Sequence, residues 1–381
     1  MNIAFYVKTY DGVKGGIERL ISMLTENLPK EYKITLFLDC EKWESFPYKL
    51  QRNISIHKLP FRGDSFFIDD LRNIIIKEEI EAVVVMRTGS NVMQTWAATL
   101  SGTNCKLILS EHCEPTAAGK EYPKQSRKIA LECADYIHLL QNAFTESIPE
   151  NIRHRVRVIP NYIINKKEKV KPFSTRENRI VMVGRLTKTQ KRPIKLLEAF
   201  GKLCERREDI KKNWELVFCG DGPEKEGMLE FIKKNEIHNV HLLGQVHDVD
   251  SILLNSKLFC LPSAYEGQSI ALMEAMNCGC IPIVYSSSPG NNTMVQDRLT
   301  GYLSGEDLSL TLESAIDSGN NDEICRNTIE EINKYSIEFA LSSWDSFFKE
   351  ISSENTLFRN RHLIKKGQLI NILINKEFFT W

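Results

Sequence analysis

Short apolar runs alternate with helix-like patterns along this chain, and the alternation stops at a polar segment and then begins again. Apolar runs that alternate with helical patterns are typical of βαβ units. The break contains Pro160-Asn161 and the charged run Lys166–Lys171, which Pro172 closes, and we interpret it as a linker. At 381 residues, the chain is long enough for two such domains.

The alternation predicts individual elements. The predicted strands before the linker are Asn2–Val7, Lys33–Leu38, Ile54–Lys58, Ala82–Met86, Lys106–Ser110, Tyr136–Leu140 and Arg157–Ile159. The predicted helices between them are Gly16–Asn27, Ile68–Glu78, Met93–Leu100 and Pro123–Cys133. The predicted strands after the linker, each followed by a helix, are Arg179–Val183, Glu215–Cys219, Val240–Leu243, Leu258–Leu261 and Ile281–Tyr285. We therefore expect α/β domains at residues 1–160 and 161–335 that face each other across a cleft.

Composition argues against several classes of protein. Fifty basic and fifty acidic residues cancel, so the net charge gives no reason to expect nucleic acid as a partner. Ten cysteines are scattered, and Cys278 and Cys280 have no second pair at zinc spacing, so we expect reduced thiols and a cytoplasmic protein. No secretory signal is expected, since the run Ile3–Val7 is too short, and the uncharged stretch Ala275–Gln296 is too interrupted to span a membrane.

Two carboxylates stand eight residues apart in the segment from Glu266 to Glu274. A buried strand precedes the segment, so we expect Glu266 on the loop at the carboxyl end of that strand and Glu274 about two turns into the next helix. Ligands bind at this edge of an open α/β sheet, and the helix amides near Ser269 and Ile270 suit an anion. A carboxylate beside these amides suits a ligand that has both a phosphate and vicinal hydroxyls, and a nucleotide sugar has both.

This segment resembles the E-x7-E signature of the retaining glycosyltransferases of family 4, which have two Rossmann-like domains in the GT-B fold. The neighbouring Leu272-Met-Glu-Ala-Met276 and Gly279-Cys-Ile-Pro282 also resemble the family. The resemblance implies that Glu274 holds the donor ribose and that Glu266 lies beside the transferred sugar. It also assigns to donor binding the residues between them, Gly267, Gln268, Ser269 and Ile270. Gln268 departs from the aromatic residue that is common there.

A basic loop, Gly184-Arg-Leu-Thr-Lys-Thr-Gln-Lys191, follows the first predicted strand of the second domain. In the family, an arginine and a lysine of this loop embrace the donor diphosphate, which implies this role for Arg185 and Lys191. Fixed cations stabilise a departing diphosphate because its negative charge grows in the transition state. The family commonly has its lysine one residue closer to the arginine, so Lys188 is an alternative, and Arg192 stands where glycine is common.

Further matches lie in both domains. Gly15-Gly16 resembles the glycine pair that approaches the donor phosphates in the family, and His112 matches a histidine near the donor sugar, although a histidine at a strand end is also often structural. Gly220-Asp-Gly-Pro223 resembles a wall-forming turn, and we interpret Asp221 as a cap of the next helix. Leu243–Val246 corresponds to a loop near the base, and Thr300–Leu303 to a closing turn.

The resemblance implies a retaining glycosyltransferase that moves a hexose-type sugar from a nucleoside diphosphate to a saccharide or lipid-linked acceptor, in cell-surface polysaccharide synthesis. The resemblance also implies neither a metal nor another cofactor, because enzymes with the GT-B fold generally do without a divalent ion and rely on fixed cations and helix dipoles. Two alternatives remain. One is a nucleotide-sugar 2-epimerase on the same fold, and the other is a non-catalytic subunit of a transferase complex.

The end of the chain differs from the rest. Helices at 336–355 resemble the closing helices that return to the first domain in the family. In the segment from Thr356 to Trp381, Arg359, Arg361, Lys365 and Lys366 stand among Leu and Ile residues before the final Phe378-Phe-Thr-Trp381. This tail is either a packed terminal element or a basic amphipathic segment on an anionic membrane surface, which would make the enzyme peripheral on the inner face of the membrane.

Overall fold

The computed structural model describes residues 1–8, 15–40, 46, 48, 50, 54–62, 64–86, 90–100, 103–115, 124–166 and 169–353. The chain divides into two compact units. The first comprises Met1–Pro160 and the chain from Ala340 onwards, and the second comprises Asn161–Phe339. The amphipathic tail predicted from Thr356 to Trp381 lies outside the described residues.

The first unit contains a sheet of seven parallel strands. The strands are β1 (Asn2–Lys8), β2 (Lys33–Asp39), β3 (Ser55–Lys58), β4 (Ala82–Val85), β5 (Lys106–Glu111), β6 (Tyr136–Leu139) and β7 (Val156–Val158). The helices are α1 (Gly16–Asn27), α2 (Ser65–Lys77), α3 (Ser90–Leu100) and α4 (Lys124–Cys133). The spatial order β3-β2-β1-β4-β5-β6-β7 is that of a doubly wound sheet. All seven predicted strands are confirmed, each end lying within one residue of its predicted position.

Helix α2 shows how a side chain moves an element boundary. The apolar pattern predicts a start at Ile68, but the helix begins at Ser65 because the Asp64 carboxylate accepts a hydrogen bond from Phe67 N at 2.7 Å. A cap of this kind satisfies one of the amides that a helix start leaves without a partner.

The second unit contains a sheet of six parallel strands. The strands are β8 (Glu177–Val183), β9 (Glu215–Cys219), β10 (Val240–Leu242), β11 (Ser256–Leu261), β12 (Ile281–Tyr285) and β13 (Tyr302–Ser304). The helices are α5 (Pro193–Arg206), α6 (Glu208–Asn213), α7 (Lys225–Lys234), α8 (Val249–Asn255), α9 (Ile270–Asn277), α10 (Pro289–Asn292), α11 (Leu308–Ile316) and α12 (Asn321–Ile332). The order β10-β9-β8-β11-β12-β13 reverses between β8 and β11, which makes that pair the topological switch point.

Both faces of the second sheet are buried. Along β8, Ile180 and Met182 belong to the hydrophobic cluster on one face, and Val181 belongs to the cluster on the other. Along β11, Leu258 and Phe259 face opposite ways in the same manner. Two covered faces explain why these strands have continuous apolar sequences and not alternating ones.

Strand β13 was missed by the sequence analysis, which interpreted Thr300–Leu303 as a turn. The strand has three residues, and Tyr302 pairs with Ile283 of β12 at the edge of the sheet. Thr300 and Gly301 immediately before it indicate a turn, and the pairing with β12 identifies the three residues after them as a strand.

The last described helix, α13 (Ile337–Ser353), packs on the first unit. Tyr32 Oη donates to Asp345 Oδ1 at 2.6 Å, and the Trp344 and Phe347 rings lie 4.7 and 5.2 Å from the rings of His138 and Tyr136. The chain therefore begins and ends its described course in the same unit. The described residues include no helix that is long and apolar enough to cross a membrane.

Candidate active site

The loops that follow β8 and β11 meet at the topological switch point of the second unit. The backbone joins them, since Ala264 N donates to Gln190 O at 2.8 Å. One loop supplies the predicted cations and the other supplies Glu266. Open α/β sheets bind ligands at this position, because the crossovers diverge there and leave a crevice at the carboxyl ends of the strands.

An ion pair joins these loops. Lys191 Nζ lies 2.7 Å from Glu266 Oε1, and only 15% and 8% of the two side chains are exposed. The lysine stem packs on Gly184, where an added Cβ would lie 3.4 Å from Lys191 Cε and where φ is +145°, so the site favours glycine. Enclosure of the pair strengthens the electrostatic attraction between the two charges. It also means that removal of either side chain would leave the other charge enclosed without a partner.

The other basic residues of the loop differ in their surroundings. Arg185 and Lys188 are exposed, and among the described residues no carboxylate forms an ion pair with either. Lys191, and not Lys188, is thus the lysine that contacts Glu266. Arg185 remains available to an anion that approaches from solvent.

Arg192 is a part of the site that sequence reasoning did not assign. Its φ is +49°, a left-handed conformation that explains why glycine is common at this position in the family. The side chain is anchored, because Nε donates to Pro262 O at 2.8 Å and the guanidinium lies 4.6 Å from the centre of the Tyr285 ring. Arg192 therefore ties the basic loop to the ends of β11 and β12.

Gln268 anchors the loop after Glu266 to the linker. Asn161 N donates to Gln268 Oε1 at 2.7 Å, and Asn161 Nδ2 donates to Gln268 O at 3.1 Å. Both residues are buried, and within the described part of the chain Gln268 Nε2 and Asn161 Oδ1 have no partner. The glutamine thus takes a bracing role in this chain at the position where the family commonly has an aromatic residue.

Helix α9 begins beside this loop. Ser269 is its N-cap, and the hydroxyl accepts a hydrogen bond from Leu272 N at 3.4 Å. Ile270 is the first helical residue, so Glu274 lies just over one turn into the helix and not two turns as expected. The helix starts later than expected because Ser269 takes the N-cap position, which leaves Gly267 and Gln268 in the loop.

Gly290 of α10 supports Glu266 from behind, and no motif had indicated it. A Cβ at Gly290 would lie 2.0 Å from Glu266 O and 2.7 Å from Gly267 O, so only glycine allows this approach. Next to it, the buried Asn291 has neither its Oδ1 nor its Nδ2 paired among the described residues. The Ser263 and Ser288 hydroxyls are in the same condition, and buried polar atoms of this kind normally have a water or ligand partner.

Asp221 does not cap helix α7, contrary to expectation. The N-cap is Glu224, whereas Asp221 Oδ1 accepts from Gly222 N at 2.8 Å and Oδ2 pairs with Lys225 at 3.2 Å. The turn is nevertheless tightly fitted, since Gly220 has φ +148° and a Cβ there would lie 2.0 Å from Gly184 O. Asp221 therefore closes its own turn three residues before the N-cap of the helix.

In the first unit, Gly15 is the N-cap of α1 and Gly16 is its first residue. The Glu18 carboxylate folds over this end, because a Cβ at Gly15 would lie 2.2 Å from Glu18 Oε2. A carboxylate in the first turn is favourable beside the positive end of the helix dipole. The preceding loop, residues 9–14, lies outside the described residues.

His112 follows β5 and is half-buried. Its Nε2 lies 2.8 Å from Ser110 Oγ. Burial, together with repulsion from His138, lowers the pKa of His112 to about 3, so the ring is neutral at physiological pH.

No group of three or more His, Cys, Asp or Glu side chains suitable for a metal ion occurs within the described ranges. All ten cysteines are free thiols, and burial raises the pKa of Cys278 to about 11. Cys278 is therefore protonated at neutral pH, which fits a structural role better than metal binding.

Comparisons with known sequences agree with this arrangement. Residues 164–336 match the family model of glycosyl transferases group 1. The UDP-Gal:alpha-D-GlcNAc-diphosphoundecaprenol alpha-1,3-galactosyltransferase of Escherichia coli is 27% identical over 324 residues, which cover 76% of this chain and 80% of the relative. The amylovoran biosynthesis glycosyltransferase AmsD of Erwinia amylovora is 23% identical over 325 residues, or 81% of this chain and 89% of the relative.

Solved structures share the fold of both units. HepE from Anabaena in complex with UDP and glucose superposes with a TM-score of 0.72 at 15% identity, covering 92% of this chain and 99% of HepE. The apo lipopolysaccharide outer core galactosyltransferase WaaB superposes with a TM-score of 0.69 at 18% identity, covering 92% and 100%. From its fold and these relatives, the chain is a glycosyltransferase with the GT-B fold, and its second unit is similar to the glycosyl transferases group 1 family.

Proposed function

We propose that this enzyme transfers a hexose from a nucleoside diphosphate to a saccharide or lipid-linked acceptor, with retention at the anomeric carbon, in the synthesis of a cell-surface polysaccharide. The observation that carries the proposal is the ion pair between Lys191 and Glu266, at 2.7 Å, at the switch point of the second sheet. It joins one cation and one carboxylate at the position where an α/β sheet binds nucleotides.

The surrounding residues support the departure of a diphosphate. Arg185 is exposed on the same loop as Lys191, and α9 directs its amino end toward this edge of the sheet. Positive charge and helix amides stabilise the leaving group most when its own negative charge is greatest, which lowers the barrier to bond cleavage. A metal ion is not part of the proposal, because two cations and a helix end supply this stabilisation.

Glu274 is proposed to bind the donor ribose, with Glu266 beside the sugar. A carboxylate can accept hydrogen bonds from two vicinal hydroxyls, and Glu274 is half-buried on the first turns of α9. The E. coli relative, which is named for UDP-Gal, and HepE, which was solved with UDP and glucose, support a UDP-hexose as donor.

The acceptor is proposed to be a saccharide carried on a lipid diphosphate. The E. coli relative is named for GlcNAc-diphosphoundecaprenol, and AmsD is named for the biosynthesis of amylovoran. Both relatives cover more than three quarters of this chain, so the matched part extends beyond the second unit.

Incubation of the purified protein with a panel of nucleotide hexoses, with and without lipid-linked saccharide extracts, tests the proposal. We expect acceptor-dependent release of one nucleoside diphosphate, no inhibition by a chelator, and a product whose anomeric configuration by NMR equals that of the donor. An inverted product would contradict the retaining mechanism, and inhibition by a chelator would contradict catalysis without a metal ion. Conversion of the donor to its 2-epimer without acceptor would establish the isomerase instead, and no turnover of any donor would favour the non-catalytic subunit.

A further inference from the structure

Three side chains of the first unit form a hydrogen-bonded chain that ends at a backbone carbonyl. His112 Nε2 lies 2.8 Å from Ser110 Oγ, and Ser110 Oγ lies 2.7 Å from His138 Nδ1. His138 Nε2 in turn lies 2.8 Å from Ile159 O. Each contact is short enough to require one donor and one acceptor.

The carbonyl determines the position of every proton in this chain. A carbonyl oxygen only accepts, so the proton of the neutral His138 lies on Nε2 and its Nδ1 is an acceptor. Ser110 must then donate its single proton to His138 Nδ1. Its hydroxyl can only accept from the other side, so His112 carries its proton on Nε2.

Both rings are neutral near pH 7, which this assignment requires. Burial lowers the pKa of His138 to about 4, although the hydrogen bond to Ile159 opposes the shift. The pKa of His112, lowered to about 3 by burial and by His138, has the same consequence. Each ring therefore carries one proton, and His112 Nδ1 has a lone pair.

The fold holds this chain in place. Ser110 and His138 are directly opposed partners in the register of β5 and β6, and they are 1% and 0% exposed. The Trp344 ring of α13 packs 4.7 Å from the His138 ring. His112 is half-buried, and no described residue forms a hydrogen bond with its Nδ1.

We propose that Ser110 and His138 are positioning residues that hold His112 in one tautomer, so that its Nδ1 accepts a hydrogen bond from a hydroxyl of the bound sugar. The assignment of a sugar to His112 rests on the proposed function and on the position of His112 directly after β5, at the edge where open α/β sheets bind ligands. The tautomer itself rests only on the geometry of the first unit.

A fixed tautomer matters because a sugar hydroxyl both donates and accepts. If His112 exchanged its tautomers, its Nδ1 would accept a hydrogen bond from this hydroxyl in one tautomer and would donate a hydrogen bond to the hydroxyl oxygen in the other. A permanent acceptor at His112 keeps every molecule in the form that binds the hydroxyl, so no tautomer has to be selected when substrate binds.

The tautomer can be observed directly by ¹⁵N NMR of histidine-labelled protein at neutral pH. We expect His112 to be protonated on Nε2 in the wild type. In His138→Phe, Ser110 loses its acceptor and can donate to His112 Nε2, so the tautomer should change to Nδ1-H. His138→Gln is the matched control, because its amide supplies both an acceptor for Ser110 and a donor for Ile159 O.

A smaller substitution protects the test against misfolding. Ser110→Ala should release the constraint and give a mixture of tautomers, whereas Ser110→Thr keeps the hydroxyl and should keep the tautomer. We expect kcat/KM to fall about ten-fold in His138→Phe, as for one lost hydrogen bond to substrate. In Ser110→Ala it should fall about two-fold, because about half of the molecules keep the tautomer that binds the hydroxyl. The two control variants should keep the wild-type value.

Two results would overturn the proposal. One is a wild-type His112 protonated on Nδ1, and the other is a tautomer that stays unchanged in both Ser110→Ala and His138→Phe. If the tautomers respond as expected but kcat/KM does not follow them, the sugar contact is wrong and the hydrogen-bonded chain is structural. If the wild type transfers no sugar at all, the proposed function fails while the NMR result stands separately.

Discussion

At the scale of single residues, the pairing of Lys191 with Glu266 links the cation proposed for the diphosphate to the carboxylate proposed for the sugar. In the absence of donor, each side chain neutralises the other in a largely enclosed place. A donor diphosphate would be a second anionic partner for Lys191. The pair therefore provides a preorganised cation whose position does not depend on the donor.

Lys191→Ala is expected to reduce kcat more than it weakens donor binding, because the charge on the leaving diphosphate grows in the transition state. Lys188→Ala is the matched control, since Lys188 is exposed on the same loop. Steady-state kinetics and donor titration by calorimetry measure both effects. Wild-type turnover in Lys191→Ala with loss in Lys188→Ala would show that Lys188 is the functional lysine.

Glu274→Ala is expected to raise the dissociation constant of the donor about ten-fold or more, because a hydrogen bond to a charged group contributes about 1.5–3 kcal/mol. The exposed Glu230 on α7 offers a control of equal charge, Glu230→Ala. Calorimetry on both folded variants makes the comparison. Equal nucleotide affinity in the two variants would argue against the ribose assignment.

At the scale of elements, two glycines of the candidate site allow neighbouring atoms to pack closely against the backbone of its loops. Gly290 belongs to a helix of four residues with no recognisable motif, yet it determines where the backbone of Glu266 can lie. Gly184 packs against the stem of Lys191, and its φ of +145° favours glycine at that position. The catalytic arrangement thus depends on close backbone approach as much as on the charged side chains.

Gly290→Ala is expected to reduce turnover strongly and to lower stability by about 1–3 kcal/mol, because the new methyl group overlaps Glu266 O. The control is Gly227→Ala in helix α7, where nothing lies within 4 Å of the added Cβ. That change should raise stability by about 0.5–1 kcal/mol and leave turnover unchanged. Thermal melts and donor turnover test both, and full activity in Gly290→Ala would show that the loop adapts.

At the scale of the whole molecule, two properties can be tested, namely the pH dependence of stability and the binding of the protein to a membrane. The buried histidines of the first unit make its stability depend on pH. The tail after residue 355, which lies outside the described residues, is the segment that we expect either to bind an anionic membrane or to pack on the protein.

The first unit is expected to lose stability as pH falls from about 6.5 to about 4. In this range the unfolded chain binds a proton at His138 that the folded state excludes, because burial lowers the folded pKa from 6.5 to about 4. The stabilisation is complete above pH 6.5, and about 3 kcal/mol of it is lost by pH 4. Urea unfolding at several pH values should show a steeper decline in the wild type than in His138→Gln, and parallel declines would contradict the expectation.

Truncation after Glu354 tests the role of the tail. If the tail binds membrane, the truncated enzyme should keep its melting temperature and lose co-sedimentation with anionic vesicles. The binding should weaken with salt, since each cation near such a surface contributes about 1 kcal/mol. Vesicles of neutral lipid are the control. A truncated protein that melts early, together with a wild type that never sediments with anionic vesicles, would assign the tail to packing.

The sequence by itself determined the two α/β units and the chemical types at the site, because apolar periodicity and the spacing of Glu266 and Glu274 are local properties of the chain. Only the tertiary structure decided which lysine meets Glu266, that Gly290 lies behind it, and that His112 is joined to His138 through Ser110. The physical reason is that these contacts connect residues on different strands and loops. Their distances follow from sheet order and register, which no local pattern encodes.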